Sequence, residues 1–241
     1  PSGVVLFSPM IAISPLAELA GLYHFLAWIP AFEKTRWQKI ELEIDPFKYS
    51  SWPMSASEQA LAMTGSIDRR LKKLQKDGRL AEAPPFLAFQ SLVDSTVNAP
   101  AMIQRLFAAL PAGRGSEVVL FDVNRVGMAR DLLRVRHDEA VQRLMSRTDL
   151  SFALHLVTNV DENSRDVAVR TRDGEALTSE PLGVAWPRGV FSLSHGAVPI
   201  PPDDPVLGTE ISTFETGIPL GSLHLRGEHG VLTISEGLMI R

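Results

Sequence analysis

The sequence predicts an α/β fold: a parallel sheet with a helical cap insertion and a β-rich C-terminal part. Three short apolar runs, at 4–7, 86–89 and 118–121, have the continuous hydrophobicity typical of strands buried on both faces of a sheet. Helical patterns separate these runs, which favours parallel strands joined by right-handed crossovers. From Phe152 onward the hydrophobic period changes to two, which indicates further strands, some of them antiparallel.

A first helical stretch follows the first strand run. Ser14-Pro15 opens it, apolar side chains cover most of its surface as far as Ile29, and Pro30 ends it. A helix of this kind is buried or covers an apolar cleft. Residues 32–54 are rich in aromatic residues and Pro, and we interpret them as an ordered irregular segment because aromatic side chains supply burial.

A second helix is predicted to start where Ser55 and Glu58 match a capping box and to stop at Gly78. Its basic side chains are interpreted as a solvated face, with contact to a membrane surface as the alternative. Because the gap between the first two strand runs exceeds one crossover helix, we predict that residues 14–80 form a helical cap over the carboxyl edge of the sheet. Residues 1–13 and 81–241 then form the core. The helix carries apolar Met63, Ile67, Leu71 and Leu74, and basic Arg69, Arg70, Lys72, Lys73 and Lys76.

The central unit comprises the strand run 86–89, a polar loop at 90–98 and a helix with Asn98 as its N-cap and Pro100 in its first turn. In parallel sheets ligands bind just beyond the carboxyl ends of the strands, and Asp94 follows such an end. One interpretation is a carboxylate that orients a catalytic imidazole. The other is a loop Asp that caps local N–H groups. The buried face of the helix is predicted to comprise Ile103, Leu106, Phe107 and Leu110.

His195 is the second candidate site residue. It ends an alternating strand pattern and precedes a Pro-rich loop, so its ring could face an open site. The alternative is a structural His with satisfied hydrogen bonds. Asp203 and Asp204 in the following loop are rival partners for this imidazole, although their closeness in sequence favours local capping.

Asp122 suggests a different chemistry. The run that ends Leu120-Phe121-Asp122-Val123-Asn124 resembles the aspartyl-nucleophile strand of haloacid-dehalogenase-type phosphatases. That family carries a second acid where Asn124 stands and a Gly-Thr pair that is missing here. A phosphatase is therefore a minor alternative.

Composition excludes several classes of protein. The net charge is −4, from 24 basic and 28 acidic residues, and without a basic block we expect no nucleic-acid partner. There is no Cys, which excludes a Cys nucleophile, a disulfide framework and Cys-based zinc sites, and which fits a reducing, cytoplasmic location. No G-x-G-x-x-G motif, P-loop or trusted metal spacing occurs, so we expect no cofactor and no metal.

Further patterns that are missing concern membranes and nucleophiles. No apolar stretch reaches the roughly 18 residues of a transmembrane helix, so no integral membrane segment is predicted. No G-x-S-x-G elbow occurs either. Pro1 opens directly into an apolar run and Arg241 follows apolar residues, and we expect both ends to be cut ends of a longer chain.

Three stretches together resemble the second half of an α/β-hydrolase, of the serine-aminopeptidase and lysophospholipase-like kind. They are GVVLFSPMIAISP, PPFLAFQSLVDSTVNAPAMIQRLFAAL and VFSLSHGAVPIPPDDPVLG. The family order is Ser, acid, His, and Asp94 and His195 fit the last two places. The chain departs from the family at Ser91, where Gly is common, and at Gly196, where an acidic residue is common.

The resemblance implies a serine hydrolase acting on a small-molecule ester or lipid-like substrate, with Asp94 and His195 as catalytic residues and an incomplete core that lacks its N-terminal strands. It also implies that the nucleophilic Ser lies upstream of Pro1, so that the 241 residues alone are inactive. The alternative from another class is a non-catalytic hydrolase-like scaffold that binds a ligand or partner under its cap. The sequence leaves the oligomeric state open.

Overall fold

The computed structural model of the chain describes residues 2–11, 36–40, 51–92, 94, 97, 99–126, 135–186, 212–213 and 219–220. Three α-helices are found there: α1 (Met54–Lys76), α2 (Ala99–Arg105) and α3 (Val135–Met145). Short 3₁₀ turns at Arg79–Glu82 and Phe107–Ala109 follow the first two. The strands are β1 (Val4–Phe7), β2 (Trp37–Lys39), β3 (Trp52–Pro53), β4 (Phe86–Ser91), β5 (Glu117–Phe121), β6 (Ala153–Asn159), β7 (Asp166–Asp173), β8 (Ala176–Ala185), β9 (Ser212–Thr213) and β10 (Pro219–Leu220).

Six of these strands form one mixed sheet in the order β1-β4-β5-β6-β7-β8. The pairs β1–β4, β4–β5 and β5–β6 are parallel, and the pairs β6–β7 and β7–β8 are antiparallel. The predicted α/β class, the three apolar strand runs and a partly antiparallel sheet after Phe152 are therefore confirmed. Two short antiparallel pairs, β2–β3 and β9–β10, stand apart from this sheet.

The core lies on one face of the sheet. Strand register aligns Leu6 with Ala88, Ala88 with Val118 and Val118 with Leu154, so these side chains share a face. All three helices contribute to the hydrophobic cluster over that face. The helical members of the cluster include Ile67, Leu71 and Leu74 of α1, Met102 and Ile103 of α2, and Val141 and Met145 of α3.

The opposite face differs from the prediction. Val5 and Phe7 of β1 are 56% and 55% exposed, although the apolar run predicts burial on both faces. Phe7 stacks on Phe89 of the neighbouring strand, with ring centroids 5.0 Å apart and planes 9° from parallel. The apolar side chains that the three described helices contribute to the core belong to the cluster over the first face, and the alternate side chains of β1 point away from it.

Helix α1 starts one residue before the predicted capping box. Its N-cap position is Pro53, in an extended conformation with φ −73° and ψ 149°, and no side chain caps the first turn. The capping-box prediction was therefore wrong, since Ser55 lies inside the helix; a neighbouring Ser, Ser57, instead accepts a 2.7 Å hydrogen bond from the Trp52 indole. The predicted stop is confirmed, because Gly78 has a left-handed φ of 71° and donates to the Gln75 carbonyl at 3.1 Å.

The second half of the predicted cap segment contributes to the core through the inner side chains of α1. The basic residues of this helix, Arg69, Arg70, Lys72, Lys73 and Lys76, are exposed. The domain boundaries at 13/14 and 80/81 stay predictions, since residues 12–35 and 41–50 lie outside the described ranges. In the described part of the chain, no helix combines the length and the apolar character needed to cross a bilayer.

Two further predictions concern α2 and the last third. The predicted helix after Asn98 is an α-helix only as far as Arg105, and its predicted buried residues are all buried. The turn that joins β7 to β8 comprises Gly174 and Glu175, and Gly174 has a left-handed φ of 54°. Most of the chain beyond Trp186, where further strands are also predicted, lies outside the described residues.

Candidate active site

Asp94 lies beyond the carboxyl end of β4, as the sequence predicts for a residue three positions after Ser91. It is only 6% exposed, and its Oδ1 accepts a 2.9 Å hydrogen bond from the Val97 N–H. This bond is the local capping contact of the alternative interpretation, and it also fixes the direction of the carboxylate. A buried carboxylate at this edge of a parallel sheet meets the positional requirement for the acid of a triad.

Strand β4 extends two residues further than its apolar run. Gln90 and Ser91, predicted as loop, belong to the strand, and both are almost fully buried. Gln90 is 0% exposed, and its Nε2 donates to two carbonyl oxygens, that of Ser91 at 3.3 Å and that of Val97 at 3.2 Å. Sequence reasoning missed this residue because a polar pair after an apolar run is typical of a loop.

A backbone bond ties the Asp94 loop to the next strand. The Leu92 N–H donates to the Phe121 carbonyl at 2.9 Å, which continues the β4–β5 ladder past the end of β4. Phe121 immediately precedes Asp122, so the two acidic residues leave neighbouring strands at the same edge.

Asp122 is 1% exposed, and protein donors surround it. Its Oδ2 accepts from the Arg125 Nε at 2.7 Å and from the Thr158 hydroxyl at 2.9 Å, while its Oδ1 accepts from the Val123 N–H at 2.9 Å. A nucleophilic carboxylate must present a lone pair to its substrate. These contacts instead direct both oxygens of Asp122 into the protein, which weighs against the phosphatase interpretation.

A pair of buried Asn residues continues this polar network. The Asn159 Nδ2 donates to Asn124 Oδ1 at 3.0 Å and to the Ser164 carbonyl at 2.8 Å. Asn159 Oδ1 accepts from the Arg125 N–H at 2.9 Å. The ends of β5 and β6 are therefore joined to each other and to the β6–β7 connection.

The antiparallel hairpin returns the chain to this same edge. Residue Asp166 at the start of β7 pairs with Ala185 at the end of β8. Arg165 and Trp186 exchange two bonds, with Trp186 N–H to the Arg165 carbonyl at 2.9 Å and Arg165 Nη1 to the Trp186 carbonyl at 3.0 Å. The chain that leads to His195 thus leaves the sheet at the edge that carries Asp94. His195 itself, like Asp203 and Asp204, lies outside the described residues.

One other His is described in atomic detail, at the amino end of the sheet. His155 Nδ1 lies 2.9 Å from the Thr171 hydroxyl, and its Nε2 lies 3.2 Å from Glu117 Oε2. The second contact is within ion-pair distance but lacks hydrogen-bond geometry, so Nε2 has no hydrogen-bond partner within the described ranges. His155 lies toward the amino ends of the parallel strands, away from Asp94 at the carboxyl end of β4.

Surface grooves are found away from the candidate site. One of about 330 Å³ lies between α1, the following 3₁₀ turn and the amino end of β4, and one of about 230 Å³ lies between α1 and α2. Neither is lined by Asp94, Asp122 or the ends of the parallel strands. The position of Asp94, not groove size, therefore defines the candidate site.

Among the described residues, no group of three or more His, Asp or Glu side chains is arranged to hold a metal ion. Comparison of the chain with protein-family models, with curated proteins and with solved structures found no match.

Proposed function

We propose that the protein containing this chain is a serine hydrolase of the α/β-hydrolase type that acts on ester bonds. Asp94 is the acid that orients His195, and His195 is the general base. The nucleophile is a Ser that the 241 residues do not carry in an elbow motif. The single observation that carries the proposal is the burial of Asp94 at the carboxyl end of a parallel strand.

The geometry of the sheet is compatible with a meeting of Asp94 and His195. β4 and β8 are four strand spacings apart, or about 19 Å at ~4.8 Å per spacing. His195 lies nine positions after Trp186, and an extended chain covers at most about 3.5 Å per residue, or roughly 31 Å. The intervening chain is therefore long enough for the imidazole to reach the Asp94 loop.

Each group has a defined role in the proposed reaction. His195 takes the proton of the Ser hydroxyl as that oxygen attacks the acyl carbon, and later gives the proton to the leaving alcohol. Asp94 holds the His195 ring in the tautomer that accepts this proton, and it stabilises the imidazolium that results. The predicted apolar cap, including Leu16 to Trp52, would shape a pocket for the acyl chain.

The test is active-site labelling with a fluorophosphonate, on the gene product that includes any sequence upstream of Pro1. We expect the wild-type protein to be labelled, and His195→Ala to lose labelling. Asp94→Asn should slow it by about 10³- to 10⁴-fold, because the amide stabilises the wrong tautomer. Undiminished labelling in both variants would refute the assignment of the triad.

A non-catalytic scaffold is the competing outcome of the same experiment. It predicts that the wild-type gene product is not labelled at all, and that Ala or Gly occupies the elbow position in the upstream sequence. The His195→Ala variant also serves as the control for labelling that does not depend on the triad.

A further inference from the structure

We infer that Gln90 is a positioning residue that holds the Asp94 carboxylate in its working orientation. This inference rests on the proposed function, but the contacts that carry it are all among described residues. Gln90 is fully buried in β4, four residues before Asp94, and no charged group or apolar pattern in the sequence marks it. Its side-chain amide bridges the two ends of the loop 91–97.

The two acceptors determine how the amide is oriented. Both partners of Gln90 are carbonyl oxygens, and only the nitrogen of the side-chain amide can donate to them. A flipped amide would bring its oxygen against two other oxygens. The nitrogen therefore faces the loop. We call its two donated hydrogen bonds, to the carbonyl oxygens of Ser91 and Val97, the Gln90 clamp.

Val97 transmits the clamp to the carboxylate. Its carbonyl accepts from Gln90 Nε2 at 3.2 Å, and its N–H donates to Asp94 Oδ1 at 2.9 Å. Both polar groups of one residue are thus used, one by the clamp and one by the carboxylate. Any shift of Val97 caused by loss of the clamp changes the position of Asp94 Oδ1.

The Gln90 side chain leaves one buried polar atom without a hydrogen bond. Gln90 Oε1 is buried and has no hydrogen-bond partner within the described part of the chain. An unpaired buried acceptor is destabilising, and on β4 an apolar residue would avoid it, as Ala88 does on the same face. Local rules of this kind are broken mainly where function requires it.

The first test measures the clamp without reference to catalysis. Amide hydrogen exchange of the peptide spanning 91–98 is compared in the gene product and in its Gln90→Leu variant, which is close in size but cannot donate. We expect exchange in this loop to become roughly tenfold faster in the variant, with β5 unaffected. Ser116→Ala is the matched control, because the Ser116 hydroxyl accepts from the Phe86 N–H at 3.1 Å at the other end of β4. Unchanged exchange in Gln90→Leu would overturn the inference.

The second test separates positioning from a purely structural role. With a p-nitrophenyl ester as substrate, Gln90→Leu is expected to lower kcat by about 10- to 100-fold, while KM changes by less than about twofold. The same substitution in an Asp94→Asn background should lower kcat hardly any further, because Gln90 acts by positioning the Asp94 carboxylate and that carboxylate is absent there. An equal loss in both backgrounds would overturn the inference.

Failure of the inference and failure of the proposed function have different signatures. A wild-type gene product that neither labels nor cleaves esters refutes the hydrolase, and the exchange measurement then decides the clamp alone. If Gln90→Leu does not fold by circular dichroism, Gln90→Met replaces it with an unbranched side chain of similar length, and the same outcomes apply.

Discussion

The Thr158 hydroxyl donates to Asp122 Oδ2 across 2.9 Å and joins the carboxyl ends of β6 and β5. Together with the 2.7 Å contact from Arg125 Nε, it gives a fully buried carboxylate two side-chain donors on one oxygen. A carboxylate in such surroundings is costly to bury and costly to remove, because its removal takes an acceptor away from each of these donors. It serves the edge of the sheet as a structural connection.

Asp122→Ala should therefore destabilise the fold by about 3 kcal/mol, as expected for removal of one partner from a buried ion pair. Urea unfolding of the purified protein measures the change. The matched control is Asp149→Ala, which breaks an Arg–Asp pair of similar length, 2.8 and 2.9 Å to Arg147, on the surface. We expect the control to leave the unfolding midpoint unchanged; an equal shift in both variants would contradict the structural role of Asp122.

The contribution of Arg172 to stability is predicted to require the shape of its guanidinium group as well as its charge. It is 8% exposed, and it donates from Nε to the Met145 carbonyl at 2.8 Å and from Nη1 to the Glu175 carbonyl at 3.0 Å. It therefore caps the end of α3 and braces the β7–β8 turn. Arg172→Lys should cost about 1–2 kcal/mol, because one ammonium cannot reproduce the two diverging bonds.

Thermal or urea unfolding is the measurement for this substitution. Arg143→Lys serves as its control, since Arg143 Nε also donates to a helix carbonyl, that of Glu139 at 3.2 Å, but at an exposed position. A midpoint for Arg172→Lys that matches the control would show that the charge alone suffices.

Two Gly→Ala substitutions in and after α1 are expected to have opposite signs. Gly78 has a left-handed φ of 71°, so Gly78→Ala should destabilise the protein by about 1 kcal/mol. Gly65 lies inside the helix, where an added Cβ would meet only the end of Arg69, at 3.5 Å. Gly65→Ala should stabilise by up to about 1 kcal/mol through helix propensity. Unfolding midpoints that move in the same direction would contradict this assignment.

The Arg147–Asp149 pair gives a prediction for pH. The hydrogen bond from Arg147 holds the pKa of the Asp149 carboxyl below its usual range. In Arg147→Gln the Asp149 pKa should rise toward the ordinary value, and a ¹³C NMR titration of the carboxyl carbon measures it. Because the folded pKa is depressed, any stability from this pair is present above the unfolded pKa of about 3.9 and is lost as the pH falls through the folded value. An Asp149 pKa that does not change in the variant would contradict the assignment.

The strands of the parallel region could be predicted because burial in a sheet requires continuous apolar runs, which are visible in the sequence. The same signal gave a wrong prediction at Val5 and Phe7, since hydrophobicity does not report which face the neighbouring helices cover. It carried no information on β8, all of whose residues are exposed. The end of β4 was missed because Gln90 and Ser91 are buried polar residues, and polar burial has no periodic pattern in the sequence.

The candidate site, like the sheet, could be predicted from the sequence only in part. The position of Asp94 follows from the order of strand and loop, which is local information. The Gln90 clamp and the Asp122–Thr158 contact join residues 7 and 36 positions apart, and only the folded backbone brings those together. Asp122 was selected from the sequence for a chemistry that its surroundings do not favour. The meeting of Asp94 with His195 stays a prediction.

The hydrogen bonds between Arg165 and Trp186 join the two ends of the β7–β8 hairpin, so the chain enters and leaves the hairpin at the same place. β7 runs away from the carboxyl edge of the sheet and β8 runs back to it, so the chain that follows the hairpin starts at the same edge at which β6 ends. Deletion of the whole hairpin, with the two flanking residues rejoined, would leave the downstream segment at the same carboxyl edge. Losing only one of its strands would send that segment to the far side of the molecule.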